Sequence, residues 1–349
     1  MCTIHVKLMP YSSYTLIAIL NYSYSQIFYK RRQASSPYQS AITTVCHLRA
    51  SHKSKGKKTM RNLTLLLIAT LAVAFTSAAN NGDINIMING QSQTKYVLSA
   101  DWAKEFTRVN GSSITLSGGG RVYLGDSSSG TISLNSFYEM PLLGKRFTFD
   151  VDMSDVGCNC NGALYFVTMP AYNSAQQPAP GKDNEYYCDA NQVGGIYCPE
   201  MDLMEANKFA MASTAHTCQY HAPHYYSSCD RGGCGKNVLD ADGGGYGPGK
   251  RIDTNKPFTL SVSFITQNGR LSTVSNYFSQ GSQSLKFDSC NPDYLQWMGM
   301  SLPGIVMTMS LWGTENGGMS WLDGKSGCQG GCNLDNSKVT FSNFRLDDL

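Results

Sequence analysis

Apolar and polar residues alternate with a period of two along much of the chain. Arg146–Met153 (RFTFDVDM) places Phe147, Phe149, Val151 and Met153 on one face, which predicts a half-buried strand. Phe258–Phe264 (FTLSVSF) repeats the pattern with Phe258, Leu260, Val262 and Phe264. Asn268-Gly269 follows, a pair that tolerates the two positive φ angles of a type I′ turn, so the strand should resume over Arg270–Phe278. Ala163–Met169 and Ile305–Trp312 are nearly continuous apolar runs, as expected of strands covered on both faces. Lys338–Leu346 predicts a closing strand, and no long segment carries a 3.6-residue period. Many strands, 34 glycines and few helices predict two antiparallel sheets packed as a sandwich.

The N-terminal 79 residues follow a different logic. Met60 opens MRNLTLLLIATLAVAFTSAA, with Arg61 as a short basic region, an apolar stretch over Leu63–Phe75 and small residues from Thr76 to Ala79. That is the layout of a signal peptide, too short to span a bilayer. Residues 1–59 then read as an upstream extension of the gene model, 60–79 as the signal peptide and 80–349 as one catalytic domain. The division changes the charge. The chain holds 28 basic and 25 acidic residues, net +3. Ten of the basic residues and none of the acids precede Asn80, leaving 18 against 25 and a net charge of −7. An acidic secreted chain does not suit nucleic acid as a partner. Ten of the twelve cysteines follow residue 79, an even set that predicts five disulfides in an oxidising compartment. Asn110-Gly111-Ser112 is a glycosylation sequon.

The candidate chemistry lies in CPEMDLMEAN, residues 198–207, where three acids are spaced Glu200-x-Asp202-x-x-Glu205. On a regular strand Glu200 and Asp202 share a face, whereas Glu205 points to the other. One β-bulge between Asp202 and Glu205 would bring all three to one concave surface. Two carboxyls so placed suit glycoside hydrolysis with retention, one as nucleophile and one as acid/base. Crowding should raise the pKa of one outer acid and keep it protonated. A solvated acidic strand or a calcium site is the plainer alternative.

Blocks in a particular order extend the motif: FTFDVDMS (147–154), NGALYFVTM (161–169), YCDAN (187–191), CPEMDLMEAN (198–207), AHTC (215–218), YGPG (246–249), MSLWG (309–313), MSWLDG (319–324) and VTFSN (339–343). Together they resemble glycoside hydrolase family 7, the cellobiohydrolases and endo-β-1,4-glucanases, over about residues 96–346. The resemblance implies an all-β fold, a concanavalin A-like jelly-roll sandwich with a substrate cleft. It implies Glu200 as nucleophile, Glu205 as acid/base and Asp202 as the supporting acid, with His216 near the acid/base. Trp312 and Trp321 match sugar-stacking tryptophans on the leaving-group side, and Trp102 one at the far end. Asn161, Tyr165, Tyr187, Asp189 and Arg121 fall on positions like the family's sugar contacts. Trp297 has no counterpart and is read as core. The family pattern also pairs Cys188–Cys198, Cys218–Cys229 and Cys234–Cys290, with Cys158 and Cys160 reaching the Cys328/Cys332 pair.

Departures temper the substrate. Several loops that roof the tunnel of processive members are missing, which favours an open cleft and endo cleavage. Met204 stands where the family usually has Trp. The expected protein is a secreted, monomeric retaining β-glucanase acting on cellulose or related cell-wall glucans. It needs no metal or cofactor, and has no membrane partner once the signal is removed. Two alternatives remain: a β-1,3(1,4)-glucanase with the same bulged acids, and a non-catalytic carbohydrate-binding protein on this fold. A zinc cluster of His216, Cys218, His221, His224, Cys229 and Cys234 is disfavoured by the even cysteine count.

Overall fold

A computed structural model describes residues 79–99, 101–127, 132–181, 183–315 and 317–349. The upstream extension and all of the proposed signal peptide before Ala79 lie outside the described residues.

The alternating segments form the strands they predict. Lys145–Asp152 and Phe258–Gln267 pair antiparallel, with Phe149 opposite Leu260 and Phe147 opposite Val262. Asn268 and Gly269 both adopt positive φ (52° and 75°) and return the chain into Arg270–Gln280, as their side chains allow. Lys338–Asp348 closes the chain.

Thirteen strands hydrogen-bond in one continuous path that folds over on itself. One half runs Cys234–Asn237, Met211–His216, Glu200–Ala206, Cys160–Val167, Ile305–Gly313, Arg121–Gly125 and Gln91–Ser99. The other runs Ala79–Ile88, Lys338–Asp348, Lys145–Asp152, Phe258–Gln267, Arg270–Gln280 and Gln283–Asp288. The hairpin of Ala79–Ile88 with Gln91–Ser99 joins the halves. Pairing is antiparallel throughout this path except where Met87 and Ile88 lie parallel to Arg345 and Leu346.

The halves pack face to face, as a two-sheet sandwich should. Phe147 of one layer meets Phe166 of the other edge-on at 5.5 Å, and Phe149, Phe341 and Phe344 extend the aromatic core. Cys160–Val167 is buried along its whole length, and Ile305–Gly313 nearly so, which explains their unbroken apolar sequences. Trp297 differs from its expected place: it lies on the short helix Pro292–Met298 and is 63% exposed, since Leu295 and Met298 are the residues that helix buries.

All five cysteine pairs are formed: Cys158–Cys328, Cys160–Cys332, Cys188–Cys198, Cys218–Cys229 and Cys234–Cys290. Three of the thiols in the alternative zinc set are therefore consumed. Cys158 and Cys328 also lie close to Asp323, but as a bonded pair they are not free ligands.

Phe147 is fully buried at the meeting of the two layers. Phe147→Ala should destabilise the fold by about 3–5 kcal/mol, read as a lower denaturation midpoint in guanidinium at unchanged slope.

Candidate active site

The strand Glu200–Ala206 carries one residue more than its neighbours. Against Cys160–Val167, Tyr165 opposes Asp202 and Leu164 opposes Met204, so Leu203 is the extra residue. Against Met211–His216, Thr214 opposes Asp202 and Ala212 opposes Glu205, with one residue spanning two. This is the bulge expected between Asp202 and Glu205. Its effect is visible in burial. Met201, Leu203, Met204 and Ala206 all enter the core between the sheets, leaving the three acids to the opposite, concave face. Met204 is fully buried, so the residue that departs from the family pattern acts on core packing rather than on the cleft.

Cross-strand neighbours define the floor. Glu205 aligns with Ala212 on one side and with Ala163, Ser310 and Arg121 on the other. Small side chains beside Glu205 leave room above it. Asp202 aligns with Tyr165, Thr308 and Tyr123. Glu200 lies opposite His216 and Val167.

Each acid is held separately. Glu200 Oε2 accepts the Ala190 N–H at 3.0 Å. Asn161 Nδ2 donates to Glu205 Oε1 at 2.9 Å, and its Oδ1 accepts the Ala206 N–H at 2.9 Å, so the amide is locked in one orientation. His216 Nε2 lies 3.1 Å from Asp202 Oδ2, and Nδ1 lies 2.9 Å from the Asp230 carbonyl oxygen. A carbonyl only accepts, so Nδ1 carries hydrogen and the Asp202 contact shares one further proton between ring and carboxyl. His216 thus bonds Asp202 rather than Glu205, and with both nitrogens engaged it supports the acids rather than offering a free sugar contact.

Burial is the leading cause that pushes all three acids above their ordinary range. The Asp202 charge raises Glu200 and Glu205 further, and Asp189 raises Glu200 and Asp202. His216 and the Ala190 N–H pull Glu200 back, while His216 and the Asn161 amide pull Glu205 back. Glu205 ends at about 8, protonated at neutral pH.

The remaining sequence-predicted residues divide into two groups. Trp102, Trp312 and Trp321 are 45%, 41% and 49% exposed, available to a ligand face. Trp312 follows the core residues Ile305, Met307, Met309 and Leu311 at odd spacing, so it lies on the concave face, paired in register with Asn161. Trp321 is on the short helix Ser320–Asp323, whose neighbours Met319 and Leu322 pack on Ala210 and Ala212. Trp312 thus lies on Ile305–Gly313 and Trp321 toward Met211–His216, with the acid strand between those two strands. Asn161, Tyr165, Tyr187 and Asp189 are almost fully buried. The Tyr165 and Tyr187 hydroxyls bond each other at 2.9 Å, and Asp189 Oδ1 accepts the Val193 N–H at 2.9 Å.

Arg121 stacks 3.6 Å over the Tyr187 ring, donates from Nε to Tyr123 OH at 2.6 Å, and pairs through Nη2 with Glu185. Sequence reasoning missed Glu185 and Tyr123; the one available signal was the position of Glu185 two residues before YCDAN. It also missed Asp323, whose Oδ2 accepts the Asn159 N–H and the Asn207 amide, tying the Trp321 helix to the end of the acid strand.

The sequence model of glycosyl hydrolase family 7 matches residues 46–194 and 189–298. The chain belongs to glycosyl hydrolase family 7. It is 32% identical over 290 residues to a probable endo-β-1,4-glucanase celB of Aspergillus clavatus, covering 66% of this chain and 68% of the relative. It is 30% identical over 339 residues to endoglucanase EG-1 of Hypocrea jecorina, covering 79% and 70%. Among solved structures, an endoglucanase I complexed with cellobiose superposes with a TM-score of 0.62 at 21% identity, over 78% of this chain and 97% of that one. This family 7 chain is a glycoside hydrolase, and its sandwich is the jelly roll expected from the sequence.

The Glu205 shift has a sign that heat can read. An acid raised from 4.5 to about 8 binds more protons folded than unfolded across that window, so stability is present below about 4.5 and is lost as pH rises to about 8. The melting temperature should fall between pH 5 and pH 8, and Glu205→Gln, which cannot ionise, should shrink that fall.

Proposed function

We propose that the chain is a secreted, retaining endo-β-1,4-glucanase that cuts cellulose or related glucans by double displacement. The observation that carries the reading is the bulged strand, which presents Glu200, Asp202 and Glu205 on one face with Glu205 protonated at neutral pH. The 32% and 30% identical relatives carry endoglucanase names, which supports β-1,4-linked glucan as substrate.

In the first step ionised Glu200 attacks the anomeric carbon as the bond to the departing sugar breaks. Glu205 gives its proton to the departing glycosidic oxygen. In the second step Glu205, now a carboxylate, takes a proton from water as the water oxygen bonds the anomeric carbon. The Glu200 ester breaks, Glu200 leaves ionised and Glu205 is protonated again. The Ala190 N–H and His216 favour the ionised form of Glu200, while the charge of Asp202 raises Glu205 and keeps its proton in place until the leaving group needs it. Asn161 fixes one oxygen of Glu205, leaving the other to face the bond. Half-exposed Trp312 and Trp321 on either side of the acids suit pyranose faces on both sides of the bond.

Glu200→Gln and Glu205→Gln should each lower kcat on soluble cello-oligosaccharides by about 10²–10⁴-fold, with the unaltered protein active. A 2-fluoro-cellobioside should leave a covalent sugar on the peptide holding Glu200, seen by mass spectrometry; hydrolysis without that adduct would sink the nucleophile assignment. Product linkage from mixed-linkage oligosaccharides separates β-1,4 from β-1,3 cleavage. Asn161→Ala removes a hydrogen bond that favours ionised Glu205. The alkaline limb of the kcat profile should therefore move to higher pH as kcat falls.

A further inference from the structure

Three buried polar side chains form a hydrogen-bonded thread through the apolar interior of the sandwich. On Arg270–Gln280, Asn276 alternates with Val274 and Phe278, so it points into the core with them. Its Nδ2 donates to Ser289 Oγ at 2.6 Å. Ser289 Oγ donates to Ser213 Oγ at 2.8 Å, and Ser213 Oγ donates to the Asp202 carbonyl oxygen at 3.1 Å. The far end fixes the direction. A carbonyl only accepts, so the Ser213 hydrogen goes to Asp202 and the Ser289 hydrogen to Ser213, and Ser289 must accept from the amide.

The thread ends at the bulge. Ser213 is the one residue of Met211–His216 that stands against two, Leu203 and Met204, between the pairs Thr214–Asp202 and Ala212–Glu205. It alternates with the core residues Met211 and Ala215, so its hydroxyl lies on the core side of the sheet, behind the three carboxyls. Ser289 is anchored in turn. The next residue, Cys290, is bonded to Cys234, which lies opposite Ala215. Polar groups in a core are costly unless fully bonded, and Asn276 Oδ1 has no hydrogen-bond partner among the described residues. Apolar side chains in the same places would avoid that cost, so stability alone does not account for the thread.

It does account for the place of the bulge. Moving the excess residue beyond Glu205 would keep the strand paired but turn Glu205 into the core. Glu200 and Asp202 precede the excess residue and would keep their face. We propose that Ser213 is a positioning residue: by holding the Asp202 carbonyl, with Ser289 and Asn276 behind it, it fixes the bulge at Leu203 and so keeps Glu205 on the concave face. This rests on the retaining reading above, in which Glu205 is the acid/base.

The test compares two substrates on the Ser213→Ala protein. Cellopentaose needs a proton on its departing oxygen, whereas 2,4-dinitrophenyl β-cellobioside releases a phenolate that leaves without one. Both need Glu200. Ser213→Ala should lower kcat/KM on cellopentaose about tenfold. On the aryl cellobioside kcat/KM, which reports the first step alone, should be unchanged. An equal fall on both, as from general loosening of the core, or no fall on either would overturn the assignment. If Ser213→Ala fails to fold, Ser289→Ala removes the bond behind Ser213 and should give the same split in smaller measure; no split would overturn it. If the unaltered protein cuts neither substrate, the retaining reading fails, and the positioning is read from a crystal structure of Ser213→Ala. There the 2.9 Å contact of Asn161 Nδ2 with Glu205 Oε1 should be lost, while the 3.0 Å contact of the Ala190 N–H with Glu200 Oε2 stays. Both contacts kept, or both lost, would overturn it.

Discussion

Everything at the site depends on the one-residue excess at Leu203. Side chains on a strand alternate faces, so a regular segment would have turned Glu205 into the core beside Met201 and set a buried acid among methionines and phenylalanines. The excess residue spends its own side chain on the core, where Leu203 and Met204 both pack. The cost is a locally broken ladder on both edges of the strand. That cost is tolerable because the strand is central, flanked by Cys160–Val167 and Met211–His216, whose remaining pairings hold the register.

A second constraint follows from bringing acids together in a dry place. Hydration of the charged form is withdrawn from all three carboxyls, so each retains a proton more strongly than in water. The surrounding partners then make the acids unequal. A backbone N–H supports the charged form of Glu200, a histidine shares a proton with Asp202, and Glu205 receives one side-chain amide. The division of labour among three like groups thus comes from their neighbours, since the acids themselves share one strand and one face.

Much of this was legible in the chain. The RFTFDVDM and FTLSVSF segments carry the sheet alternation openly, and Asn268-Gly269 announces its turn. The acid spacing predicts the bulge, because only an extra residue reconciles it with a shared face. What escaped is tertiary. Arg121 and Glu185 are 64 residues apart and meet only after the loop before Tyr187 folds over the sheet, so no local pattern marks them as partners. Trp297 misled for the opposite reason: tryptophan is apolar enough to suggest core, but its helix is a single short span that buries Leu295 and Met298 instead. His216 lies close to the acids as expected, yet its bonding depends on which way two nitrogens point, which composition does not encode.

The disulfides Cys158–Cys328 and Cys160–Cys332 join positions 170 and 172 apart in sequence. They fasten the segment carrying Trp321 beside the strand Cys160–Val167, next to the acids. The wall on that side of the cleft is therefore made from the last part of the chain to be synthesised. A chain synthesised only as far as its acid strand still lacks this wall, which the two long-range crosslinks later hold in place. The groove beside the acids is thus finished by the end of the chain, and the bonds that fix that wall also tie the chain's end back to the middle of the sheet.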